Sequence, residues 1–134
     1  MKPSMLDTDI LSEFLRGNPQ VIDKVDEHLK AYGFINLSVI TYYEILNGLL
    51  YKDARKQLAK FEDFVLLNRV IPLTMRMAKT AASIQSDLRK KGTEIVHTDT
   101  LIAGIAITSK LQLVTNNSDH FNRVQGLELA NWTM

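Results

Sequence analysis

Four acidic residues lie at or near the ends of segments that have the composition of buried strands. They are Asp7 in "SMLDTDIL", Glu44 in "TYYEILNG", Asp99 in "HTDT" and Asp119 in "TNNSD". Carboxylates that converge in one buried cleft repel one another, and a divalent cation removes that repulsion. The chain has no cysteine and only three histidines. A carboxylate cluster without thiolates or paired imidazoles favours Mg²⁺, or Mn²⁺, over Zn²⁺.

Each acid, taken alone, also has a purely structural explanation. Asp7 or Asp9 would cap the first helix, because Asp is favoured at N-cap positions. Thr41 and Glu44 have the spacing of a capping box, although Ser38 is a suitable earlier cap for the same helix. Only the set of acids, considered together, indicates a metal site. We predict that Asp7 serves this site and that Asp9 serves the helix start.

Apolar runs and segments of helical periodicity alternate along the chain. The apolar runs predict strands at about residues 3–6, 34–38, 69–73, 111–115 and 127–132. The periodic segments predict helices at about residues 9–16, 19–31, 39–51, 53–68, 74–92 and 98–110, and a helical turn at 118–124. We therefore predict the α/β fold class, with three α/β/α layers around a short sheet of about five mostly parallel strands.

This architecture places the acids where a ligand would bind. In open α/β sheets, ligands bind outside the carboxyl ends of the strands, near the point where the strand order reverses. Asp7 follows the first predicted strand, and the polar cluster "TNNSD" at residues 115–119 follows the fourth. Glu44 and Asp99 lie early in helices of the same layers. We expect these side chains to project into one cleft.

Length and composition are those of an ordinary globular protein, and we predict one domain over residues 1–134. The net charge is only +1, from 16 basic and 15 acidic residues, so a nucleic-acid ligand would need a local basic patch or bound cations. The longest apolar run, "LIAGIAI" at residues 101–107, is too short to span a bilayer, and no targeting segment is visible. We expect a cytoplasmic protein without membrane association.

Four motifs of the chain resemble, in order and spacing, those of PIN-domain ribonucleases. They are "MLDTDIL", "SVITYYEILNGLL", "HTDTLIAGIAI" and "LVTNNSDHFNRVQGLELANW". The resemblance is strongest to the VapC-type toxins of type II toxin–antitoxin pairs and extends from about residue 4 to residue 132. It implies a PIN-like domain in which Asp7 and Asp99 bind the metal and Glu44 completes the acidic set.

The fourth acidic position departs from the family pattern. Where many members have an aspartate two residues after the threonine of "VT", this chain has Asn117, and Asp119 lies close by. Either Asp119 acts as the fourth catalytic acid, or Asn117 supports the site as a neutral ligand. Thr8 and Thr115 match positions that commonly support the site by hydrogen bonding, and a cap or turn role explains them equally well.

The resemblance implies a Mg²⁺-dependent endoribonuclease toxin in which metal-activated water cleaves structured RNA, tRNA or rRNA. It further implies a homodimer and a cognate VapB-like antitoxin. The alternative is a weak or inactive PIN domain that binds RNA or a partner, as the asparagine at position 117 would allow. A phospho-accepting receiver domain is disfavoured. Such a domain needs an aspartate at the end of its third strand and a lysine after its fifth. Here the third strand, "VIPL", ends without an acid, and no lysine follows the fifth, "LELANW".

Several other residues have less specific explanations. We expect His28, His97 and His120 to be surface or structural residues. We expect Phe34, Tyr42 and Tyr43 to be core residues rather than platforms for stacked bases. The basic run "RKK" at residues 89–91 is typical of a solvated helix end. A contact between this run and RNA phosphates is the less favoured alternative.

Overall fold

The computed structural model describes all 134 residues and contains one sheet of five parallel strands. The strands are β1 (Ser4–Leu6), β2 (Asn36–Ser38), β3 (Arg69–Ile71), β4 (Gln112–Val114) and β5 (Leu129–Ala130), in the order β3-β2-β1-β4-β5. Every neighbouring pair is parallel. The prediction of an α/β fold with about five strands is confirmed, and the sheet is wholly rather than mostly parallel.

Seven helices cover the sheet. They are α1 (Thr8–Leu15), α2 (Pro19–Tyr32), α3 (Val39–Tyr51), α4 (Arg55–Leu67), α5 (Met75–Lys90), α6 (His97–Thr108) and α7 (Ser118–Phe121). Each helix lies within the segment predicted from periodicity or differs from it by one or two residues, apart from α7, which ends three residues early. None of these helices is long and apolar enough to cross a membrane.

Alternate residues of the strands face two separate cores. Met5 of β1 and Leu113 of β4 pack with α5, α6 and α7, whereas Leu6 and Val114 pack with α1 to α4. Successive side chains of a strand point to opposite faces of the sheet, and here both faces are buried. This explains why neighbouring residues of β1 and β4 are both apolar in sequence and confirms the three-layer arrangement.

The strand order reverses beside β1. From β1 the chain builds the sheet outward through β2 and β3, and it then returns to the other side of β1 to form β4 and β5. The carboxyl ends of β1 and β4 are held together by a hydrogen bond from the Asp7 backbone N–H to the Val114 carbonyl at 2.9 Å. This reversal creates the crevice in which such sheets bind ligands.

The aromatic residues of α3 differ in their surroundings. Tyr42 stacks against the buried Phe61, with ring centroids 5.7 Å apart, as expected of a core residue. Tyr43 is 65% exposed, and Phe34, which precedes β2, is 37% exposed, so the assignment of both to the core is wrong. Tyr42 and Tyr43 are adjacent in a helix and therefore point about 100° apart, and only one of them can face the sheet.

His28 is a structural residue, as expected. It is fully buried, its Nε2 accepts a hydrogen bond from the Ser4 backbone N–H at 3.0 Å, and its Nδ1 lies 3.0 Å from the Phe34 carbonyl. These two partners require the neutral imidazole with its proton on Nδ1, because Nε2 must accept and Nδ1 must donate. Burial lowers the pKa of His28 below its ordinary value of 6.5.

Replacement of His28 by Leu is expected to destabilise the protein by about 1–3 kcal/mol at pH 8, since the Ser4 N–H loses its buried acceptor. This difference should shrink as the pH falls below about 6.5, because the unfolded wild-type chain then takes up a proton that the folded state resists. Urea unfolding of both proteins between pH 5 and 8 measures the difference. The exposed His97, changed to Gln, serves as the control, and a pH-independent difference would contradict the neutral assignment.

Candidate active site at the carboxyl edge of the sheet

Asp7 occupies the crevice beside β1 and is buried. It is the N-cap of α1, and its Oδ1 accepts a hydrogen bond from the Thr8 backbone N–H at 2.8 Å. Its Oδ2 accepts a second hydrogen bond, from the Thr115 hydroxyl at the end of β4, at 2.8 Å. Capping and a place in the crevice are therefore two roles of the same residue, because the helix begins where the strand ends.

Asp9 serves the helix start, as predicted, and also contacts the loop after β4, while the N-cap itself is Asp7. Asp9 lies in the first turn of α1, and its Oδ2 accepts a hydrogen bond from the Asn116 backbone N–H at 2.9 Å. This contact ties the loop after β4 to α1. Its Oδ1 accepts a hydrogen bond from the Ile10 backbone N–H at 2.7 Å, so Asp9 serves the helix start and the crevice together.

Glu44 joins the site through Thr8. The Thr8 hydroxyl lies 2.6 Å from Glu44 Oε1 and 3.0 Å from the Thr41 hydroxyl. Ser38 is the N-cap of α3 and accepts a hydrogen bond from the Thr41 backbone N–H at 3.0 Å. A capping box between Thr41 and Glu44 is therefore absent, which leaves the Glu44 carboxylate in the crevice.

Asp99 lies in the first turn of α6 and faces the loop that follows β4. Its Oδ2 is 3.4 Å from Asn117 Nδ2 and 3.4 Å from His120 Nδ1. The Asn117 backbone N–H donates to the Thr115 hydroxyl at 2.9 Å, and that hydroxyl in turn donates to Asp7. Asn117 thus connects the two aspartates through Thr115.

Asp119 lies outside this cluster. It is exposed and forms no hydrogen bond or ion pair through its side chain. Asn117, the neutral alternative, is the residue that contacts Asp99. His120, expected to be a surface or structural residue, instead lies in this cluster, because it follows Asn117 by three positions across a helical turn, a spacing that places two side chains on one face.

The site carries negative charge that the protein does not balance. Burial raises the pKa of Asp7 from 3.8 to about 7, and the charges of Asp9 and Asp99 add to this effect, while the hydrogen bonds from Thr115 and Thr8 oppose it. Burial also raises the pKa of Asp9, with a contribution from Asp99. No lysine or arginine forms an ion pair with Asp7, Asp9, Glu44 or Asp99.

The donor set fits a hard divalent cation. No three aspartate, glutamate or histidine side chains are positioned to ligate one ion together. Mg²⁺ does not require such a group, since one or two protein carboxylates with water and phosphate oxygens commonly complete its octahedron. The charges of Asp9 and Asp99 both act on Asp7, that of Asp9 more strongly, and the sequence resemblance singles out Asp7 and Asp99 as the ligating pair. Their oxygen donors, and the absence of cysteine, match Mg²⁺ or Mn²⁺.

The fold agrees with comparisons to known proteins. A family model described as PIN domain matches residues 4–127. The chain is 30% identical over 129 residues to ribonuclease VapC2 of Rickettsia felis, with 96% of each chain covered. It is 30% identical over 131 residues to the tRNA(fMet)-specific endonuclease VapC of Shigella flexneri, with coverage of 96% and 97%.

A solved structure shows the same fold over nearly the whole chain. The DNA-bound VapBC of Salmonella typhimurium superimposes with a TM-score of 0.89 and 28% identity, covering 98% of this chain and 99% of that one. The chain belongs to the PIN domain family. Within that family its relatives are the VapC ribonucleases, so the resemblance seen in the sequence motifs is confirmed.

Proposed function

We propose that this protein is a Mg²⁺-dependent endoribonuclease that hydrolyses structured RNA and acts as the toxin of a toxin–antitoxin pair. The observation that carries the proposal is the hydrogen-bonded set of Asp7, Glu44 and Asp99 in the crevice where the strand order reverses. Its uncompensated negative charge would repel an RNA phosphate, and a bound cation reverses that interaction. A role in binding alone does not explain why Asp7 is buried without a basic partner.

The residues of the site have distinct parts in this proposal. Asp7 and Asp99 would hold the cation, which when bound supplies a water of lowered pKa and positive charge beside the scissile phosphate. Thr115 and Thr8 orient the Asp7 and Glu44 carboxylates through their hydroxyl groups. Hydrogen-bonded supports of this kind keep ligating oxygens in one orientation. Thr8, Thr115 and Asn117 are thus positioning residues.

The substrate class and the partners follow from the relatives. The Shigella flexneri relative is named for cleavage of tRNA(fMet), which favours tRNA over rRNA as the substrate here. The Salmonella neighbour is a VapBC complex, which favours a VapB-like antitoxin as partner of this chain.

Exposed apolar side chains of α3 and α4, among them Tyr51, Leu66 and Leu67, offer contact area for this antitoxin or for a homodimer. We place this activity in the cytoplasm, where its RNA substrates are found.

Cleavage of RNA by the purified protein tests the proposal. Total bacterial RNA is incubated with the antitoxin-free protein in Mg²⁺, in Mn²⁺ and in EDTA, and the products are mapped at both ends. Discrete cuts that need the cation are expected, and Asp99→Asn should slow them about 100-fold or more. The exposed Asp23, changed to Asn, is the matched control. RNA binding by the folded wild type without cleavage in either metal would overturn the nuclease and favour the binding module.

Asn117 and Asp119 are expected to differ in their effect on cleavage. Asn117→Ala removes the amide that contacts Asp99 and should reduce the rate about tenfold or more, in the range seen for residues that support metal ligands. Asp119→Ala should change the rate by less than about threefold, because that side chain is exposed and unpaired. Initial cleavage rates of the two variants and the wild type on one tRNA substrate measure the difference. The reverse ranking would assign the fourth acidic role to Asp119.

A further inference from the structure

A groove with a basic lining runs along α5 on the side that faces α6 and the segment after α7. It has a volume of about 560 Å³. Four cations line it, from Arg76 and Lys79 at the start of α5 to Lys91 at its end and Arg123 on the opposite wall. Asp87 is the single acid. A local excess of three positive charges therefore lies in a protein whose net charge is only +1.

These cations are available to a ligand. None of the four forms an ion pair, and Asp87 has no ion-pair partner either. Arg123 is held in place by hydrogen bonds from its guanidinium to the carbonyls of Thr93 and Glu94, at 3.4 and 3.3 Å. A guanidinium that is fixed by carbonyls keeps its charge uncompensated, and the remaining N–H groups can reach phosphate oxygens in a fixed geometry.

The spacing of the cations suits an extended polyanion. Arg76, Lys79 and Ser83 follow one face of α5, and Lys91, the C-cap of this helix, lies fifteen positions after Arg76. A rise of 1.5 Å per residue gives a span of about 22 Å. Several phosphates of one strand fit along that length. A small anion would need converging donors instead of a row of them.

The groove adjoins the candidate active site through α7. At one side of this short helix, Asn117 and His120 contact Asp99. Directly after it, Arg123 forms the wall of the groove. Only three positions separate His120 in the crevice from Arg123 in the groove. An RNA strand that leaves the crevice over α7 therefore enters the groove at Arg123.

We propose that this α5 groove binds the phosphate backbone of the RNA substrate next to the cleavage site, through Arg76, Lys79, Lys91 and Arg123. The proposal rests on the proposed ribonuclease function and adds where the RNA lies. Phosphate contacts of this kind position a strand without reading its bases. The groove thus supplies affinity that the acidic crevice cannot, and the bases near the crevice set the choice of RNA.

Binding of mixed bacterial tRNA to the full chain in EDTA, measured by fluorescence anisotropy at several salt concentrations, tests the proposal without cleavage. The double variant Arg76→Ala/Lys79→Ala should bind of the order of tenfold more weakly and lower the salt dependence of log K by about 1.5. The control Lys30→Ala/Lys56→Ala removes two exposed cations from α2 and α4 and should bind as the wild type does. Asp87→Asn should tighten binding severalfold, a gain that misfolding cannot produce.

The outcomes separate the groove from the nuclease. Weaker binding by the groove variant, tighter binding by Asp87→Asn and no effect in the control support the groove, whether or not the wild type cleaves RNA. Equal tRNA binding by all variants overturns the groove, even where Mg²⁺-dependent cleavage stands. Unchanged RNA binding together with lost binding of the co-expressed antitoxin also overturns it, and assigns the surface to the antitoxin.

Discussion

Asp7→Asn is expected to abolish cation-dependent RNA cleavage while making the metal-free protein more stable than the wild type. Loss of a ligating carboxylate should lower the cleavage rate about 100-fold or more. The gain in stability has a separate cause, which is the cost of ionising a carboxyl that is buried beside Asp9 and Asp99. Mutations at a site built for function commonly show this opposition between activity and stability.

The pH dependence of the gain has a definite sign. The pKa of Asp7 is about 7 in the folded protein, above its ordinary value of 3.8. A group whose folded pKa is raised stabilises the fold at low pH, and this contribution is lost as the pH rises to about 7. Asparagine does not titrate. The variant should therefore match the wild type near pH 4 and exceed it at pH 8 by up to about 4 kcal/mol.

Urea unfolding in EDTA at pH 4, 6 and 8 measures this difference. Asp23→Asn, an exposed aspartate on α2, makes the same chemical change at the surface and should leave stability within about 0.5 kcal/mol. Saturating Mg²⁺ should stabilise the wild type and not the Asp7 variant, because a ligand stabilises only the state that binds it. If the Asp7 variant is less stable than the wild type at pH 8 in EDTA, ionisation of the buried Asp7 carboxyl does not destabilise the folded protein, and the prediction is wrong.

Gly104→Ala is expected to destabilise the protein by about 1–3 kcal/mol, although alanine has a higher helix propensity than glycine. Gly104 lies in α6 against α5, and a Cβ at this position would stand 2.8 Å from the Met77 carbonyl oxygen and 3.1 Å from Ala81. The obstacle is backbone, which cannot rotate aside as a side chain can. The two helices must therefore separate. The same displacement moves Asp99 at the start of α6, so cleavage should fall as well.

Gly48→Ala is the matched control for this prediction. Gly48 lies inside α3, and a Cβ there would meet nothing within 4 Å. The same substitution should thus stabilise the protein by about 0.5–1 kcal/mol through helix propensity alone. Thermal and urea unfolding of both variants report the difference in sign. Stabilisation by both substitutions would show that α5 and α6 separate at no cost.

The sequence alone determines most of the fold and the identity of the principal acids. Adjacent apolar residues within one strand, such as Met5 and Leu6 or Leu113 and Val114, indicate a sheet that is buried on both faces, because a half-exposed strand would alternate. The caps at Asn18, Ser38 and Thr74 and the stop at Gly33 follow from local backbone chemistry, which depends on a few neighbouring residues. Asp7, Glu44 and Asp99 are recognisable for a similar reason, since their motifs are local.

Only the tertiary structure decides how these acids are connected. Thr115 reaches Asp7 across 108 positions of sequence, and Thr8 reaches Glu44 across 36. No local pattern encodes such contacts, because they depend on the order of the strands. The entry of Asp9 into the crevice and the exposure of Tyr43 have the same origin. The basic groove along α5 likewise depends on tertiary folding, which brings Arg123 into one lining with residues of α5.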